Sequence, residues 1–275
     1  MLDAKLRKFI VDKFPLGHVV AFTGAGISHE SGIPTFRGAG GLWERYEPNL
    51  FATPDGLFRV GRDTPERMRG FLAELYAVLL KAQPNPAHLA LSGMERAGFL
   101  DGVITQNVDD LHQRAGSREV AEVHGNCFRV RCGNCPRSIT YDLGRVAEFM
   151  AQLQGLPEGR ECGPGLVTLG ERYLPKCKCG GRFRTDVVLF GEELPAAAFE
   201  KARALVESCS VLLIVGSSLT VYPAASFPLS AKQRGATLIE VNREPSEQSS
   251  LCDFHAFGTA AQILPEISSL VKTRI

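Results

Sequence analysis

The sequence has almost no excess charge and no long hydrophobic run. Its 31 Lys and Arg residues are balanced by 30 Asp and Glu, which leaves a net charge of +1. That balance gives no general electrostatic reason to bind nucleic acid or an anionic membrane. No apolar stretch approaches the ~20 residues of a membrane-spanning helix, and residues 1–14 lack the apolar segment of a secretory signal. We therefore expect a cytoplasmic protein that contacts neither nucleic acid nor a membrane directly.

Cysteine, by contrast, is well represented in the sequence. Eight cysteines without a signal peptide suit a reducing compartment and a metal site better than disulfides. Cys132 and Cys135 have the spacing of a zinc-knuckle turn, and Cys177 and Cys179 form a second, closer pair. Four thiolates from two turns make a closed tetrahedral site that holds a zinc ion and stabilises a module. Cys162 is the alternative fourth ligand.

Five strand-like runs each end in a glycine-rich or polar turn, and helical patterns separate most of them. This alternation is typical of an α/β fold with a doubly wound, Rossmann-like parallel sheet. A small cysteine module and a helical insertion interrupt the pattern. We predict a single domain over residues 1–275, with a Rossmann-like part at 1–40, 85–128 and 185–275, a helical insertion at 41–84 and a zinc module at 129–184.

The stretch from Gly24 to Gly38 follows the first of these strands. Gly24-Ala25-Gly26 matches the start of the dinucleotide fingerprint G-x-G-x-x-G, although His29 replaces the third glycine. The two glycines would let the backbone turn tightly and approach a ligand without a Cβ atom in the way. A helix that begins near Ile27 would direct its free N–H groups at a pyrophosphate. A plain tight turn fits the pattern about as well.

Polar side chains follow the later strands in the same way. In open α/β sheets, ligands bind beyond the carboxyl ends of the strands, so these positions suit a site. Each also has a plainer interpretation: Asn107 and Asp109 would cap a helix, His124 would be structural, and residues 242–244 would solvate a turn rather than reach ribose hydroxyls. Residues 184–192 return to strand character and predict either a core strand or an edge that pairs with an extended peptide.

The order of these motifs resembles the sirtuins, the NAD-dependent protein deacylases, in their bacterial form. The resemblance runs from about Val19 to the C-terminal helix and depends on GAGIS with SGIPTFRG, TQNVDDLH, HGN, the two cysteine pairs, VVLFGE, GSSLTVYPAA and VNRE. It implies transfer of an acyl group from a lysine side chain to the ADP-ribose of NAD, with release of nicotinamide. The implied partners are acyl-lysine proteins or peptides, and we expect a monomer that carries one structural zinc ion.

The resemblance also assigns roles to individual residues. His124 matches the general base, and Asn107 and Asp109 match the catalytic positions beside it. The positions that match the NAD site are Gly24, Ala25, Gly26, Phe36, Arg37, Gln106, Asn107, Val108, Asp109, Gly216, Ser217, Ser218, Asn242, Arg243, Glu244 and Ala260. Those that match the peptide-binding strand are Val187, Val188, Leu189, Phe190, Gly191 and Glu192. The structural zinc ligands match Cys132, Cys135, Cys177 and Cys179.

Departures from the family pattern are mild. Ser217 and Asn126 replace residues that are commonly threonine and serine, and an insertion at about 146–174 lengthens the zinc module. Members that prefer succinyl or malonyl lysine carry a Tyr-x-x-Arg pair where Leu72 and Leu75 stand here. An apolar pocket disfavours an acidic acyl group because it would bury an unpaired charge. We therefore expect an acetyl or other uncharged acyl substrate.

Two other functions remain open from the sequence. A mono-ADP-ribosyltransferase would use the same NAD site with an amino-acid side chain as acceptor. A non-enzymatic reader would bind nucleic acid or a partner through the cysteine module, whose surroundings are locally basic. The reader would have no use for His124 together with the 106–109 cluster.

Overall fold

The computed structural model describes residues 2–34 and 41–272, without the side chains of Leu42, Trp43 and Arg160. These residues form two compact units, which are treated separately below. Unit 1 comprises Met1–Ile33, Gln83–His124 and Leu194–Ile275, and unit 2 comprises Pro34–Ala82 and Gly125–Glu193. The helical segment and the cysteine-bearing segment therefore belong to one compact unit.

The regular elements are numbered in chain order. The α-helices within the described residues are α1 (Ala4–Lys13), α2 (Leu42–Arg45), α3 (Pro48–Phe51), α4 (Pro54–Asp63), α5 (Pro65–Lys81), α6 (Pro86–Arg96), α7 (Leu111–Arg114), α8 (Leu143–Gln154), α9 (Cys162–Tyr173), α10 (Ala196–Ser208), α11 (Ser226–Gln233) and α12 (Ala260–Lys272). The strands are β1 (Val19–Thr23), β2 (Gly102–Thr105), β3 (Val120–Glu122), β4 (Gly125–Cys132), β5 (Ser138–Thr140), β6 (Phe183–Val187), β7 (Val211–Val215), β8 (Thr237–Asn242) and β9 (Phe254–Phe257).

Unit 1 is built on a six-stranded sheet in the order β3-β2-β1-β7-β8-β9. Every neighbouring pair in this sheet is parallel. The chain order reverses between β1 and β7, which is the Rossmann arrangement and places the switch point at the carboxyl ends of those two strands. The predicted doubly wound α/β fold is confirmed. Strand β9 was not predicted, because its four residues lie at the sheet edge and show no apolar run.

Both faces of this sheet are buried, which explains why its strands are nearly continuous apolar runs. Successive side chains alternate between the faces. Val19 and Ala21 therefore join a core layer with α1, α6 and α12, whereas Val20 and Phe22 join a second layer with α10 and α11. This packing holds the strand ends, and the loops that follow them, in fixed positions.

Unit 2 combines a small antiparallel sheet with helices. Its sheet has the order β5-β4-β6, and α5 packs against α8 and α9. The insertion at 146–174 therefore forms most of a helical pair on α5. Phe51, Val60 and Phe71 make a separate apolar cluster, with Leu72 and Leu75 partly buried against it. Throughout 2–34 and 41–272, no helix has both the length and the apolar character that a membrane span requires.

Candidate active site

The loops after β1 and β7 meet with their backbones in direct contact. The N–H groups of Gly24 and Gly26 donate to the carbonyls of Val215 and Gly216, at 3.0 and 2.8 Å. A Cβ atom on Gly24 would lie 2.8 Å from the Gly216 carbonyl oxygen, and one on Gly26 would lie 2.7 Å from Gly216 Cα. The sequence interpretation assigned these glycines to ligand approach. The structure gives them a different first task, which is to let two loops of the switch point pack together.

The segment after Gly24 also differs from the predicted helix start. It is a 3₁₀-helix over Ala25–Ser31 rather than an α-helix from Ile27. The Ile27 N–H donates to the Gly24 carbonyl at 3.1 Å, and the Gly24 and Gly26 N–H groups are engaged as described above. Of the N–H groups at the predicted helix start, that of Ile27 is therefore already engaged within the loop.

The polar residues after β2 converge on this loop contact. Gln106 Nε2 donates to Ser217 Oγ at 2.7 Å, which joins the ends of β2 and β7. Asn107 Nδ2 donates to the Gly24 carbonyl at 3.2 Å and to Ser28 Oγ at 3.0 Å. The structure thus brings together side chains that lie far apart in the sequence.

Asp109 is buried below the same loop. Its carboxylate accepts from Ser28 Oγ at 2.7 Å and from the Leu111 N–H at 3.0 Å. The N-cap residue of α7 is Asp110, not Asp109 as considered from the sequence. Asp109 binds the first N–H of α7 from the position before the cap, and it also binds the glycine loop. Burial raises the pKa of Asp109, although the hydrogen bonds from Ser28 and Leu111 oppose that rise.

His124 follows β3 and is oriented by a backbone group. Its Nδ1 lies 3.0 Å from the Gln106 carbonyl oxygen. Because a carbonyl only accepts, Nδ1 carries the proton, and in the neutral ring Nε2 then holds a lone pair. Burial lowers the pKa of His124, partly opposed by the hydrogen bond to Gln106. The neutral, proton-accepting form is therefore favoured near neutral pH.

Two further histidines lie in a buried polar network behind the loop. His88 Nε2 is 3.4 Å from Ser28 Oγ, and His112 Nε2 is 2.9 Å from Thr23 Oγ1. Their rings make an edge-to-face contact with centroids 5.0 Å apart. Burial lowers the pKa of His88 to about 4 and that of His112 well below its usual range. Both rings are therefore neutral in the folded protein.

The turn after β8 approaches the same region. Asn242 Nδ2 donates to the Ser217 carbonyl at 3.0 Å, and Arg243 pairs with Glu30 of the 3₁₀-helix at 2.6 Å. Ser218 and Glu244 are exposed. Ala260 begins α12, and its side chain is part of the hydrophobic core, so only its backbone is available to a ligand.

The other predicted NAD residues divide into two groups. Ala25 and Val108 are partly buried in the loops already described. Phe36 and Arg37 lie outside the described residues.

The predicted peptide-binding segment belongs to unit 2 and is only partly a strand. Val187 ends β6 and pairs with Gly125, whereas residues 188–192 are not in a strand and include a turn at 190–191. The Phe190 N–H donates to the Ala52 carbonyl at 2.7 Å, and the Leu189 N–H donates to Glu192 Oε2 at 2.9 Å. The prediction of strand character through Glu192 is therefore wrong. These local hydrogen bonds turn the chain away from the sheet.

The four predicted zinc ligands form one cluster in unit 2. Cys132, Cys135, Cys177 and Cys179 have their sulfur atoms within 4.8 Å of one another. The Cys132–Cys179 and Cys135–Cys177 sulfur distances are 3.5 and 3.7 Å. A zinc tetrahedron with ~2.3 Å bonds has edges of roughly 3.8 Å, so the spacing fits zinc. Cys162 lies in α9, outside this cluster, which rules it out as the fourth ligand.

Comparison with known proteins agrees with this geometry. The Sir2 family profile matches residues 24–223, which include the glycine loop, the 106–109 cluster, His124 and all four thiols. The chain belongs to the Sir2 family. An NAD-dependent protein deacylase of Thermococcus kodakarensis is 47% identical over 92% of this chain and 90% of its own length. Another, of Pyrococcus abyssi, is 43% identical over 93% of each chain.

Solved Sir2 structures match over almost the whole chain. A Sir2 homologue in complex with NAD is 39% identical, with a TM-score of 0.77, and the match covers 100% of this chain and 95% of that one. A Sir2 variant with a deacetylated peptide and 3′-O-acetyl ADP-ribose is 32% identical, with a TM-score of 0.71 over 97% of both chains. The two relatives above are archaeal, so they support the family but not the bacterial form expected from the sequence.

Several polar residues that contact these loops were not predicted from the sequence. Ser28 joins Asn107 and Asp109, and Asn85 Nδ2 donates to the Ile27 carbonyl at 2.7 Å while its own side chain caps α6. The cap has a local signal in Asn85-Pro86, but the contacts of Ser28 and the bond from Asn85 to Ile27 have none. Glu240 had one, because an acidic residue within the apolar run of β8 interrupts a strand that is buried on both faces.

Proposed function

We propose that this protein is an NAD-dependent protein-lysine deacylase that transfers the acyl group to ADP-ribose and releases nicotinamide. The observation that carries the proposal is the tautomer of His124, which leaves Nε2 as a proton acceptor beside the 106–109 cluster. Its archaeal relatives are named as NAD-dependent protein deacylases, and a related Sir2 structure holds acetyl ADP-ribose with a deacetylated peptide. NAD supplies the electrophilic ribose and the leaving group when it is bound.

The residues of the chain have distinct tasks in this proposal. His124 accepts a proton at Nε2 from a ribose hydroxyl, which needs a pKa at or below working pH. Its lowered pKa satisfies that need, because the ring is then neutral. Asn107 and Asp109 are the other two proposed catalytic residues. The buried Asp109 also holds Ser28, and with it the glycine loop, in place. Gln106 orients His124 through its carbonyl and Ser217 through its side chain.

The rest of the NAD site is proposed from position. Gly24, Ala25, Gly26, Phe36 and Arg37 would form the loop over the reacting centre, and Val108 would line the nicotinamide side with its neighbours. Supporting this, the loops carrying the first three residues and Gly216 are joined at the switch point, where Rossmann folds bind nucleotides. Gly216, Ser217 and Ser218 would contact the phosphates, and Asn242, Arg243, Glu244 and the Ala260 backbone would contact the adenosine side.

A zinc ion held by the four thiols would have a structural task. Four thiolates would complete its coordination and leave no position for a substrate or a water molecule. Gly181 supports this packing, because a Cβ atom there would lie 2.8 Å from Cys132 Sγ. The ion would therefore stabilise β4 and β6 and take no part in the acyl transfer.

The acyl-lysine peptide would pair with the backbone of residues 187–192. The N–H groups of Leu189 and Phe190 are engaged within unit 2, so pairing has to use the other backbone groups of this segment. Arg184 donates to Glu192 from both terminal nitrogens of its guanidinium and would keep the segment in one shape. Main-chain pairing of this kind gives affinity with little sequence demand.

The acyl group would be uncharged. Leu72 and Leu75 are partly buried in the apolar cluster of Phe51, Val60 and Phe71, and a carboxylate placed among such groups would lack a partner. We expect acetyl-lysine to be preferred over succinyl-lysine by at least about tenfold in kcat/KM. The double variant Leu72→Tyr with Leu75→Arg should reverse this order. A wild-type preference for succinyl-lysine would refute the assignment.

Cellular context is also part of the proposal. We expect a cytoplasmic monomer, supported by eight cysteines, four of which are grouped for zinc. The balanced net charge gives no general attraction to nucleic acid, so acyl-lysine proteins or peptides are the expected partners.

The deciding experiment follows the products of NAD and an acetyl-lysine peptide by mass spectrometry. Wild-type protein should form nicotinamide and acetyl ADP-ribose in equal amounts. His124→Ala should lower the rate by about 10²–10⁴-fold, the range for loss of a general base. His18→Asn is the matched control, because His18 is a surface residue whose side chain is 64% exposed, and it should retain full activity. Consumption of NAD with ADP-ribose attached to protein would indicate the transferase instead.

A further inference from the structure

Glu240 is a completely buried acid in the middle of β8. The turn after β8 and the edge strand β9 supply its partners. Its Oε1 accepts from Asn242 Nδ2 at 2.9 Å and from the Ser246 N–H at 2.8 Å. Its Oε2 accepts from Ser249 Oγ, and His255 Nδ1 lies 3.2 Å from it. Burial raises the pKa of Glu240, but hydrogen bonds from Ser246, Ser249 and Asn242 outweigh this and hold the pKa below its usual range.

These contacts determine which way the Asn242 side chain faces. A carboxamide nitrogen has two hydrogens, and those of Asn242 are directed at Glu240 Oε1 and at the Ser217 carbonyl, 2.9 and 3.0 Å away. Both neighbours only accept. A flipped amide would therefore place its oxygen against two acceptors. The side-chain oxygen of Asn242 is the atom left to meet a ligand, and it can only accept a hydrogen bond.

Ser217 has the opposite polarity. Its hydroxyl oxygen accepts from Gln106 Nε2 at 2.7 Å and from the Leu219 N–H at 3.2 Å. A hydroxyl has two lone pairs and one hydrogen, so the hydrogen remains as the group that Ser217 can offer. The ends of β7 and β8 thus present one donor and one acceptor. A phosphate oxygen suits the first and a ribose hydroxyl suits the second.

We propose that Glu240 is a positioning residue for NAD: it holds the Asn242 carboxamide with its oxygen toward the cofactor, which selects a ribose hydroxyl over a ribose phosphate. The inference rests on the proposed function for the assignment of Asn242 to the adenosine side. It goes beyond that function by giving a buried residue, which does not touch the cofactor, control over the choice between NAD and NADP. A ribose hydroxyl donates to the Asn242 oxygen, whereas an ionised 2′-phosphate has only acceptors there.

The test compares Glu240→Leu, Asn242→Ala and the double variant. Leucine has a similar size but no oxygen, so neither the Asn242 amide nor the Ser246 N–H keeps its acceptor at this position. Glu240→Leu should raise the KM for NAD by about tenfold, the effect of losing a charge-assisted hydrogen bond, with little change in kcat. Its preference for NAD over NADP should fall. If Glu240 acts through Asn242, the double variant should be no worse than Asn242→Ala alone.

Asp253→Asn is the matched control. Asp253 accepts from the Leu238 N–H of the same strand at 2.9 Å and pairs with Lys232, with no contact to Asn242 among those described. It should lower the melting temperature and leave the KM for NAD unchanged. The proposal is overturned if Glu240→Leu changes only the melting temperature, or if its effect adds in full to that of Asn242→Ala.

Calorimetric titration with NAD and NADP separates this inference from the proposed function. If wild-type protein binds NAD but deacylates no peptide, the proposed function fails. The dissociation constants of the three variants then decide the role of Glu240 in the same way. A wild-type protein that binds NADP as tightly as NAD would overturn the role of Glu240 even if deacylation is observed.

Discussion

Units 1 and 2 hold their functional groups in place by different means. Unit 1 has two large hydrophobic layers, one on each face of its sheet. Its strand ends are therefore held by packing, and its site is assembled from hydrogen bonds between loops. The clusters described in unit 2 are smaller, and one of them consists mainly of Val130, Phe183 and the cysteines themselves.

This difference gives a physical reason why, within residues 2–34 and 41–272, the cluster of metal-binding side chains lies in unit 2. A small core stabilises a fold weakly, and a metal site then supplies much of the missing free energy. In unit 2 the thiol cluster joins the turn after β4 to the turn before β6. In unit 1 the corresponding task is performed by glycines, whose backbones touch across the switch point. Each of the following predictions perturbs either the thiol cluster of unit 2 or the packing and loop contacts of unit 1.

Removal of zinc should have the largest effect. Structural zinc contributes on the order of 10 kcal/mol to the folding of small domains. A chelator, or Cys177→Ser, should therefore abolish hydrogen-exchange protection in β4, β5 and β6. Strands β1 and β7 of unit 1 should remain protected. Cys162→Ala, which removes a buried cysteine outside the cluster, should keep one zinc per chain. Equal loss of protection in both units would contradict the comparison.

Gly216→Ala should be the most damaging single change to the packing of unit 1. Gly216 has φ +62°, and a Cβ atom there would lie 2.3 Å from the Ile27 backbone nitrogen. We expect a loss of roughly 3–5 kcal/mol in the free energy of unfolding, because left-handed strain and a backbone clash combine.

Gly235→Ala separates those two contributions. Gly235 has φ +90°, but a Cβ atom there would meet no other atom within 4 Å, so only the conformational cost of ~1–2 kcal/mol applies. Urea unfolding of both variants measures the difference. Equal losses would mean that the loop contact at Gly216 contributes nothing.

Lowering the pH should reduce the free energy of unfolding of unit 1 through its buried histidines, by less than zinc removal or Gly216→Ala. Burial lowers the pKa of His88 to about 4 in the folded protein, whereas an unfolded histidine titrates near ~6.5. As the pH falls below the unfolded value, the unfolded chain binds a proton that the folded chain does not. Stability from His88 is therefore present above pH ~6.5 and is lost progressively toward pH 4, by roughly 3 kcal/mol.

Asp109 opposes part of this loss, because its pKa is raised and the folded state binds its proton more readily. His88→Gln should give a flatter dependence of the free energy of unfolding on pH between about 6.5 and 4, whereas His18→Asn should follow wild type. Identical slopes for His88→Gln and wild type would show that His88 is not the source.

Local patterns predicted the helices and strands well where a sequence feature is compatible with a single local structure. Thr53 caps α4 with Pro54 in its first turn, and the apolar run 211–215 forms a strand buried on both faces. The four zinc ligands were predicted because thiolates at such spacings have few other uses. The strand prediction failed at residues 188–192, where hydrogen bonds to Ala52 and Glu192 outweigh local β propensity.

By itself, the sequence determined the parallel sheet, the metal module and the family of this protein, because periodicity and motif order are properties of the chain. Only the tertiary structure decided which polar groups are engaged. The Ile27 N–H, predicted for a phosphate, binds the Gly24 carbonyl. His124 owes its tautomer to the Gln106 carbonyl, and Asn242 owes its orientation to Glu240. The reason is that a hydrogen bond depends on distance and direction in space, and loops far apart in the sequence supply both.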